Sequence, residues 1–330
     1  MRTNGLQTPY NAMQITTWIL FPALIAQFCL FLTPNLSLQI SLPLTVLFLI
    51  CGLLSVTCGY STCKTDSIDT MLYQHLNNRP HPRAVKKEGE EQGEEQAPKT
   101  KYCWVCQTDV YEASMHCKYC DKCVSTFDHH CMWLNNCVGD ANYRQFYATV
   151  WYTFLFIAIH IGTLTVYLVL YFTGNEETKQ RTENWLGVAL PLVVVGVNIG
   201  FLVLTTFAGL LVAQLLFFHM SLRRQNITTY QFIVRDGQQK RDRAHFISKV
   251  SAKRDEIVLE AKTDGKCLQA CWLGIGAKYC KVCDPVIPMV REEMDKEAAE
   301  KSKANDDKAN DNEKSVKDEK KSETGEIYSC

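Results

Sequence analysis

Nowhere in this chain do basic side chains gather on one face among aromatic ones, so the electrostatic footprint of a nucleic-acid binder is missing. There is no net charge either: 35 lysines and arginines balance 35 aspartates and glutamates, although the two kinds are segregated from the apolar runs. Before the first of those runs the only charge is Arg2, and a second run follows at once, which argues against a secretory signal. The sixteen cysteines are not spread as a disulfide framework would need. Seven of them crowd, with histidines, into the single stretch from Cys103 to Cys137, a usage that fits metal binding in a reducing compartment.

What is present alternates charge-free apolar runs with dense polar stretches, a composition outside the ordinary soluble class. The runs Ile15–Leu32 and Ile40–Tyr60 each approach the ~20 residues that cross a hydrocarbon core. Thr33-Pro34-Asn35 turns the chain between them, making a transmembrane hairpin. Pro22, Gln27 and Pro43 are tolerated in such helices where they face protein. A third run leads from Phe146 to about Phe172, with Trp151, Tyr152, Phe154 and Phe156 near its start. It contains His160, a functional candidate by its depth or, alternatively, a neutral imidazole hydrogen-bonded within the bundle. Gly174–Asn184 reads as a short loop of mixed charge. The stretch Leu186–Phe218 is longer than one span requires, and Pro191 is expected to divide a short lumenal piece from a fourth helix over about Val195–Phe218.

Positive charge near helix ends sets orientation. Residues 33–39 have none, and the third connection has Lys179 and Arg181 alone. The middle segment carries Lys64, Arg79, Arg83, Lys86 and Lys87, and Arg223 and Arg224 follow the last helix. Both termini and the cysteine-rich stretch are therefore expected in the cytosol, in agreement with the redox argument.

That stretch holds a repeat. Cys103, Cys106, His116 and Cys123 are spaced C-x2-C-x9-H-x6-C, and Cys117, Cys120, His130 and Cys137 repeat the spacing fourteen residues later. Two sets of three cysteines and one histidine suit two tetrahedral zinc ions, and the second set begins before the first is finished, so the sites interleave. Cys131 stands where a third copy would begin, but the next two ligand positions hold Leu134 and Arg144. His129 is also left over, since His130 keeps the register, and Asp128 precedes it. A free thiol, an imidazole and a carboxylate on one metal-stapled scaffold have the composition of an activated nucleophile. The alternative is that Cys131 replaces a neighbour as ligand or is an ordinary buried thiol.

The run Phe127-Asp128-His129-His130-Cys131, with Trp133, Asn135, Asn136, Cys137, Val138, Gly139 and Asn142-Tyr143-Arg144-Gln145-Phe146, resembles the cysteine-rich domain of the DHHC family of protein S-acyltransferases. The resemblance implies that Cys131 takes an acyl chain from acyl-CoA, palmitoyl-CoA above all, and passes it to a cytosolic cysteine of a protein substrate. It implies His129 and Asp128 as the activating pair, and the two zinc sets as divided above, both structural. Asp66-Ser67-Ile68-Asp69 resembles the family's DPxD motif, with Ser67 where proline is usual, though four residues also fit a polar helix-end turn. Asn226-Ile227-Thr228-Thr229-Tyr230-Gln231 resembles its TTxE motif, with Gln231 for glutamate. That change puts an ionic role in doubt, and Thr228 as the cap of a following helix fits equally well. The two departures leave room for a weakened enzyme or one that needs an accessory subunit.

The expected fold is therefore a mainly α membrane protein, with four transmembrane helices and a cytosolic double-zinc module between helices 2 and 3. Residues 1–60 form the first two helices, 61–100 a linker, 101–146 the cysteine-rich domain, 147–220 helices 3 and 4, 221–290 a cytosolic C-terminal region and 291–330 a charged tail. The acidic run at residues 86–96 and the tail from Arg291 cannot bury enough apolar surface to fold. Arg241–Lys262 reads as a partly amphipathic helix, at the membrane surface or against the zinc module. Cys267, Cys271, Cys280 and Cys283 make a further zinc site, solvated thiols or acylated ones. The terminal Cys330 does not fit a prenylation box. An integral multi-pass protein of the endoplasmic reticulum, Golgi or plasma membrane follows, with no nucleic-acid partner. Two rival functions remain. A membrane-anchored zinc module that only binds proteins would need no nucleophile, and a thiol redox protein would need a resolving cysteine where every sequence neighbour of Cys131 is committed to metal.

Overall fold

In a computed structural model, the chain is described over residues 1–82, 99–185 and 190–263, with Glu292 alone beyond. The acidic run at 86–96, the cysteines from Cys267 to Cys283 and nearly all of the tail lie outside the described residues. Among the described residues, four segments are long and apolar enough to cross a membrane: Ala12–Asn35, Leu38–Lys64, Tyr143–Phe172 and Pro191–Gln225. The chain is a multi-pass integral membrane protein, mainly helical, with its cysteine-rich stretch between the second and third spans.

The first span begins as α1 (Ala12–Gln27), capped by the Asn11 side chain on the amide of Met13. It ends in a wide turn over Phe28–Leu32 and a tight one over Thr33–Asn35, where Pro34 cannot continue an α-helix. After α2 (Leu38–Lys64) come α3 (Thr70–Asn77), six short strands, α4 (Tyr143–Phe172), α5 (Glu176–Glu183), α6 (Pro191–Gln225) and α7 (Thr229–Thr263). Between the spans, aromatic rings stack in sequence: Phe28 on Phe48 at 3.9 Å, Phe48 on Phe156 at 4.2 Å, and Phe156 on Phe21 at 4.9 Å. Beside this stack runs a buried polar chain. His160 donates from Nε2 to Gln27 Oε1 (2.6 Å), Gln27 donates to Asn198 Oδ1 (2.7 Å), and Asn198 donates to the carbonyls of Phe31 and Val194 (both 2.9 Å). His160 is thus a hydrogen-bonded bundle residue, and Gln27 faces protein because two other helices supply its partners.

Three expectations need correction. Pro191 marks the start of the fourth helix, but α6 begins at Pro191 itself and not near Val195: the proline opens the first helical turn, where its missing N–H costs nothing and its fixed φ suits a helix. The same helix runs on past Phe218 to Gln225, because backbone hydrogen bonding continues where hydrophobicity stops, and Asn226 ends it in the left-handed conformation (φ 51°). Gly174–Asn184 is not a plain loop, since Asn175 caps α5 through the amide of Thr178 and Glu177 pairs with Arg181 one turn on.

The cysteine-rich stretch folds as three two-stranded antiparallel hairpins: β1 (Thr100–Cys103) with β2 (Thr108–Tyr111), β3 (Met115–Cys117) with β4 (Lys122–Val124), and β5 (His129–Cys131) with β6 (Asn136–Val138). Cys103, Cys117 and Cys131 close their strands in the same way, opposite Thr108, Lys122 and Asn136. Each turn then has one left-handed residue, Gln107, Asp121 and Asn135, again fourteen apart. The repeat is therefore threefold in backbone and twofold in ligands.

Polar side chains fix this module to the helices. Asn136 Nδ2 reaches the carbonyls of Thr62 (2.9 Å), Cys63 (3.1 Å) and Thr65 (2.9 Å), which the end of α2 leaves unpaired. Ser67 Oγ donates to the carbonyl of Cys137 (2.8 Å), and Asp69 accepts from the amides of Met71 and Leu72 as the cap of α3 and from Ser114 Oγ. Asp66 pairs with Lys122, a lysine with no exposed surface. The segment before α1 lies across the same module: the Arg2 amide donates to Cys120 O and the Gly5 amide to Cys63 O, both at 2.8 Å, and Asn135 Nδ2 donates to Pro9 O at 3.2 Å. Gly5 sits so close that a Cβ there would stand 2.1 Å from the carbonyl oxygen of Leu134. Gly5→Val should therefore force this segment off the third hairpin, at a cost of about 1–3 kcal/mol, read as a lower melting temperature in detergent; an unchanged one would mean the segment is not held there.

The chain divides after Ile233, and α7 continues into the second unit. The helix expected from Arg241 begins earlier, at Thr229, for a reason that lies at its start. Thr228 and Gln231 cap it reciprocally: the Thr228 amide donates to Gln231 Oε1 (2.9 Å) and the Gln231 amide to Thr228 Oγ1 (3.2 Å).

Candidate active site and metal sets

The backbone alternation of β5 sorts three adjacent functional residues. Side chains on a strand point alternately to opposite faces, so His130 leaves one face while His129 and Cys131 share the other. On its face, His130 Nδ1 meets the sulfurs of Cys120 (3.4 Å), Cys137 (3.6 Å) and Cys117 (3.7 Å). In the first set, Cys106 Sγ lies 3.3 Å from His116 Nδ1 and 3.8 Å from Cys123 Sγ. All four ligand atoms of each set, Cys103, Cys106, His116 and Cys123 and then Cys117, Cys120, His130 and Cys137, fall within 4.8 Å of one another. Metal–sulfur bonds of ~2.3 Å in a tetrahedron hold sulfurs about 3.8 Å apart, so both sets fit a metal ion.

Cys131 belongs to neither set. It is 8% exposed and packs with Val138, Phe146, Val150 and Leu216, which places its thiol at the junction of the module with α4 and α6. On the same strand face, His129 Nδ1 is 2.6 Å from Asp128 Oδ2, which leaves Nε2 for a second partner. The carboxylate of Asp128 is 3% exposed and anchored again from α7: the Thr229 amide donates to Oδ1 and the Thr229 hydroxyl to Oδ2, both at 2.8 Å. Burial opposes a charge on His129, yet the hydrogen bond to Asp128 and the neighbouring Cys131 outweigh it and push the imidazole up to about 9. Burial works against Asp128 too, but the bond from His129 and the Thr229 amide hold its carboxyl below its ordinary value. The result is a tightened imidazole–carboxylate pair beside an uncommitted thiol.

A family model described as DHHC palmitoyltransferase matches residues 96–236. That stretch, from the cysteine-rich hairpins through the end of the fourth span, is similar to the DHHC family. Three proteins of Arabidopsis thaliana are similar to the chain. Probable protein S-acyltransferase 20 is 35% identical over 194 residues, 54% of this chain and 28% of that protein. Probable protein S-acyltransferase 19 is 35% identical over 153 residues (46% and 21%), and probable protein S-acyltransferase 22 is 39% identical over 142 residues (43% and 24%). The chain thus spans about a quarter of the length of these curated relatives.

The departures from the DHHC-family motifs take on physical meaning. Ser67 uses the hydroxyl that a proline would lack to hold Cys137 O, so the DPxD-like segment is a clasp on the second metal set. Gln231 completes the capping box with an amide, a role that needs no charge and leaves Thr229 aimed at Asp128. Asn136 and Asn142 entered the sequence analysis only as part of the family resemblance, with no role, and the structure gives them one at the carbonyls of Thr62 and Cys137. His219 and Cys63 escaped it altogether, and Cys63 donates its thiol to Leu134 O at 3.3 Å, next to the Cys131 turn.

Proposed function

We propose that this chain is a protein S-acyltransferase that moves a long acyl chain, palmitoyl above all, from acyl-CoA to cysteines of proteins at the cytosolic membrane face, through an acyl-Cys131 intermediate. The observation that carries the reading is the shared strand face of His129 and Cys131, with Asp128 behind the imidazole and Cys131 outside both metal sets. In the first step His129 takes the thiol proton, the Cys131 sulfur attacks the thioester carbonyl, and the bond to CoA sulfur breaks. The imidazolium, stabilised by Asp128, returns that proton to the departing CoA thiolate. In the second step His129 deprotonates the thiol of a substrate protein, which attacks the acyl-Cys131 carbonyl and releases Cys131. One thioester replaces another each time, so no external energy source enters. Burying an acyl chain among the spans at ~0.8 kcal/mol per CH₂ explains why the thiol sits where the module meets α4 and α6.

Cys103, Cys106, His116 and Cys123, and Cys117, Cys120, His130 and Cys137, would hold two zinc ions. Each ion would have four protein ligands and no open position, a structural role. The termini and the module would face the cytosol, where thiols stay reduced. With the purified chain in detergent and palmitoyl-CoA, the reading expects a burst of one CoA per chain, a protein mass raised by one acyl group, and reversal by hydroxylamine. No burst and no mass change would overturn it. Thr229 acts through Asp128. A hydrogen bond to a charged group is worth about 1.5–3 kcal/mol, so Thr229→Ala should slow acyl-enzyme formation roughly tenfold or more, with Thr229→Ser keeping most of the rate. Equal rates in both would remove Thr229 from the account.

A further inference from the structure

Beside Cys131 a third group of ligand atoms converges. Asp128, His129 and His219 bring one carboxylate oxygen and two ring nitrogens within 4.8 Å of one another, the same closeness at which each cysteine–histidine set gathers its own. His219 comes from the far end of α6 and is 1% exposed, its ring 5.8 Å from that of His129 and 5.0 Å from Phe146. Its Nδ1 faces the Tyr143 hydroxyl at 3.3 Å, which leaves Nε2 as the atom able to ligate. The acyl transfer derived above has no use for a second imidazole at this place. Two imidazoles and one carboxylate, however, are a donor set that zinc accepts while keeping one exchangeable position.

Metal bonds of ~2.0–2.2 Å spread tetrahedral ligand atoms about 3.4 Å apart. The Asp128–His129 contact of 2.6 Å is shorter than this, and the other separations reach no further than 4.8 Å. An entering ion therefore takes the place of the hydrogen bond between Asp128 and His129 and draws His219 in by a small side-chain rotation. We propose that Asp128, His129 and His219 form a third, reversible site for a divalent transition ion such as Zn²⁺, distinct from the two cysteine sets, and that filling it switches the chain off. The inhibition follows from imidazole chemistry. Whichever nitrogen of His129 binds the ion, the other carries the ring's proton, so no lone pair remains to accept the proton of Cys131. This second half rests on the acyltransferase reading; the binding of the ion does not.

The test titrates ZnCl₂ into the full chain in detergent, already holding its two cysteine-bound ions, and measures bound zinc after desalting beside acyl-enzyme formation from palmitoyl-CoA. The wild-type chain should take up a third equivalent and lose more than tenfold in acyl-enzyme, and a weak chelator should restore it. His219→Ala and His219→Gln should keep two ions and need at least tenfold more zinc for the same loss. A wild-type chain that stops at two ions, or a third ion that stays equally tight in both variants, overturns the proposal. Should either variant lose the first two ions, cobalt in the wild-type chain decides. A third cobalt must add ligand-field bands without further thiolate charge-transfer absorption, and a third cobalt that does add such absorption overturns the site. A chain that forms no acyl-enzyme at all would sink the acyltransferase reading, and the ion count would still decide this one.

Discussion

Cys131→Ser should lower acyl-enzyme formation by about 10³-fold or more while zinc content stays at two per chain. The substitution changes one atom and keeps the shape of a side chain packed against Val138, Phe146, Val150 and Leu216. What it removes is the acidity and nucleophilicity of sulfur: a hydroxyl beside the same imidazole is far harder to ionise and attacks a thioester poorly. Because Cys131 belongs to neither metal set, the fold has no reason to suffer. Activity and metal content, measured on one preparation, separate a nucleophile from a ligand. Loss of one zinc together with activity would make Cys131 a ligand, and retained acylation would make another thiol the acceptor.

Cys120→Ser should do the opposite, costing a metal first and activity as a consequence. Cys120 is fully buried, 3.3 Å from Cys137 Sγ and 3.4 Å from His130 Nδ1. Binding of structural zinc is worth ~10–16 kcal/mol in small domains, so a set reduced to three ligands endangers the fold around it. His130 of that set lies between His129 and Cys131 on β5, and Cys137 pairs across from it on β6. Without an ion in that set, β5, which carries Cys131, would lose its tether at His130. We expect at most one zinc per chain, a lower melting temperature and acyl-enzyme formation down by about 10²-fold or more. Two zincs with normal melting would show that Cys120 does not ligate.

The sequence was legible where the determinant is local. Apolar runs without charge declare the four spans, and a fixed offset of fourteen residues divides eight cysteines and histidines into the two groups that the fold gathers. The same offset pointed to Cys131, and the left-handed turn residues Gln107, Asp121 and Asn135 follow it as well. What hydropathy could not read was where the fourth helix stops, since α6 runs through Arg223 and Arg224 to Gln225, with Arg223 lying over the Tyr147 ring. Nor could any local pattern place partners that meet only after the chain has closed. Asn136 finds the end of α2, Thr229 finds Asp128, and Gln27 finds both His160 and Asn198, each across scores of residues. His219 is the clearest case, one histidine at the end of an apolar run whose meaning arises from the strand it faces.

The central claim is that the thiol spared by the metal sets is the one that carries the acyl chain. Mass spectrometry of the proteolysed wild-type chain, after brief exposure to palmitoyl-CoA at neutral pH, locates the hydroxylamine-labile adduct among the cysteines. The adduct is expected on the peptide containing Cys131, at up to one per chain. Finding it instead on Cys63, or on a cysteine after Thr263, with Cys131 unmodified and blocked by metal, would contradict the account.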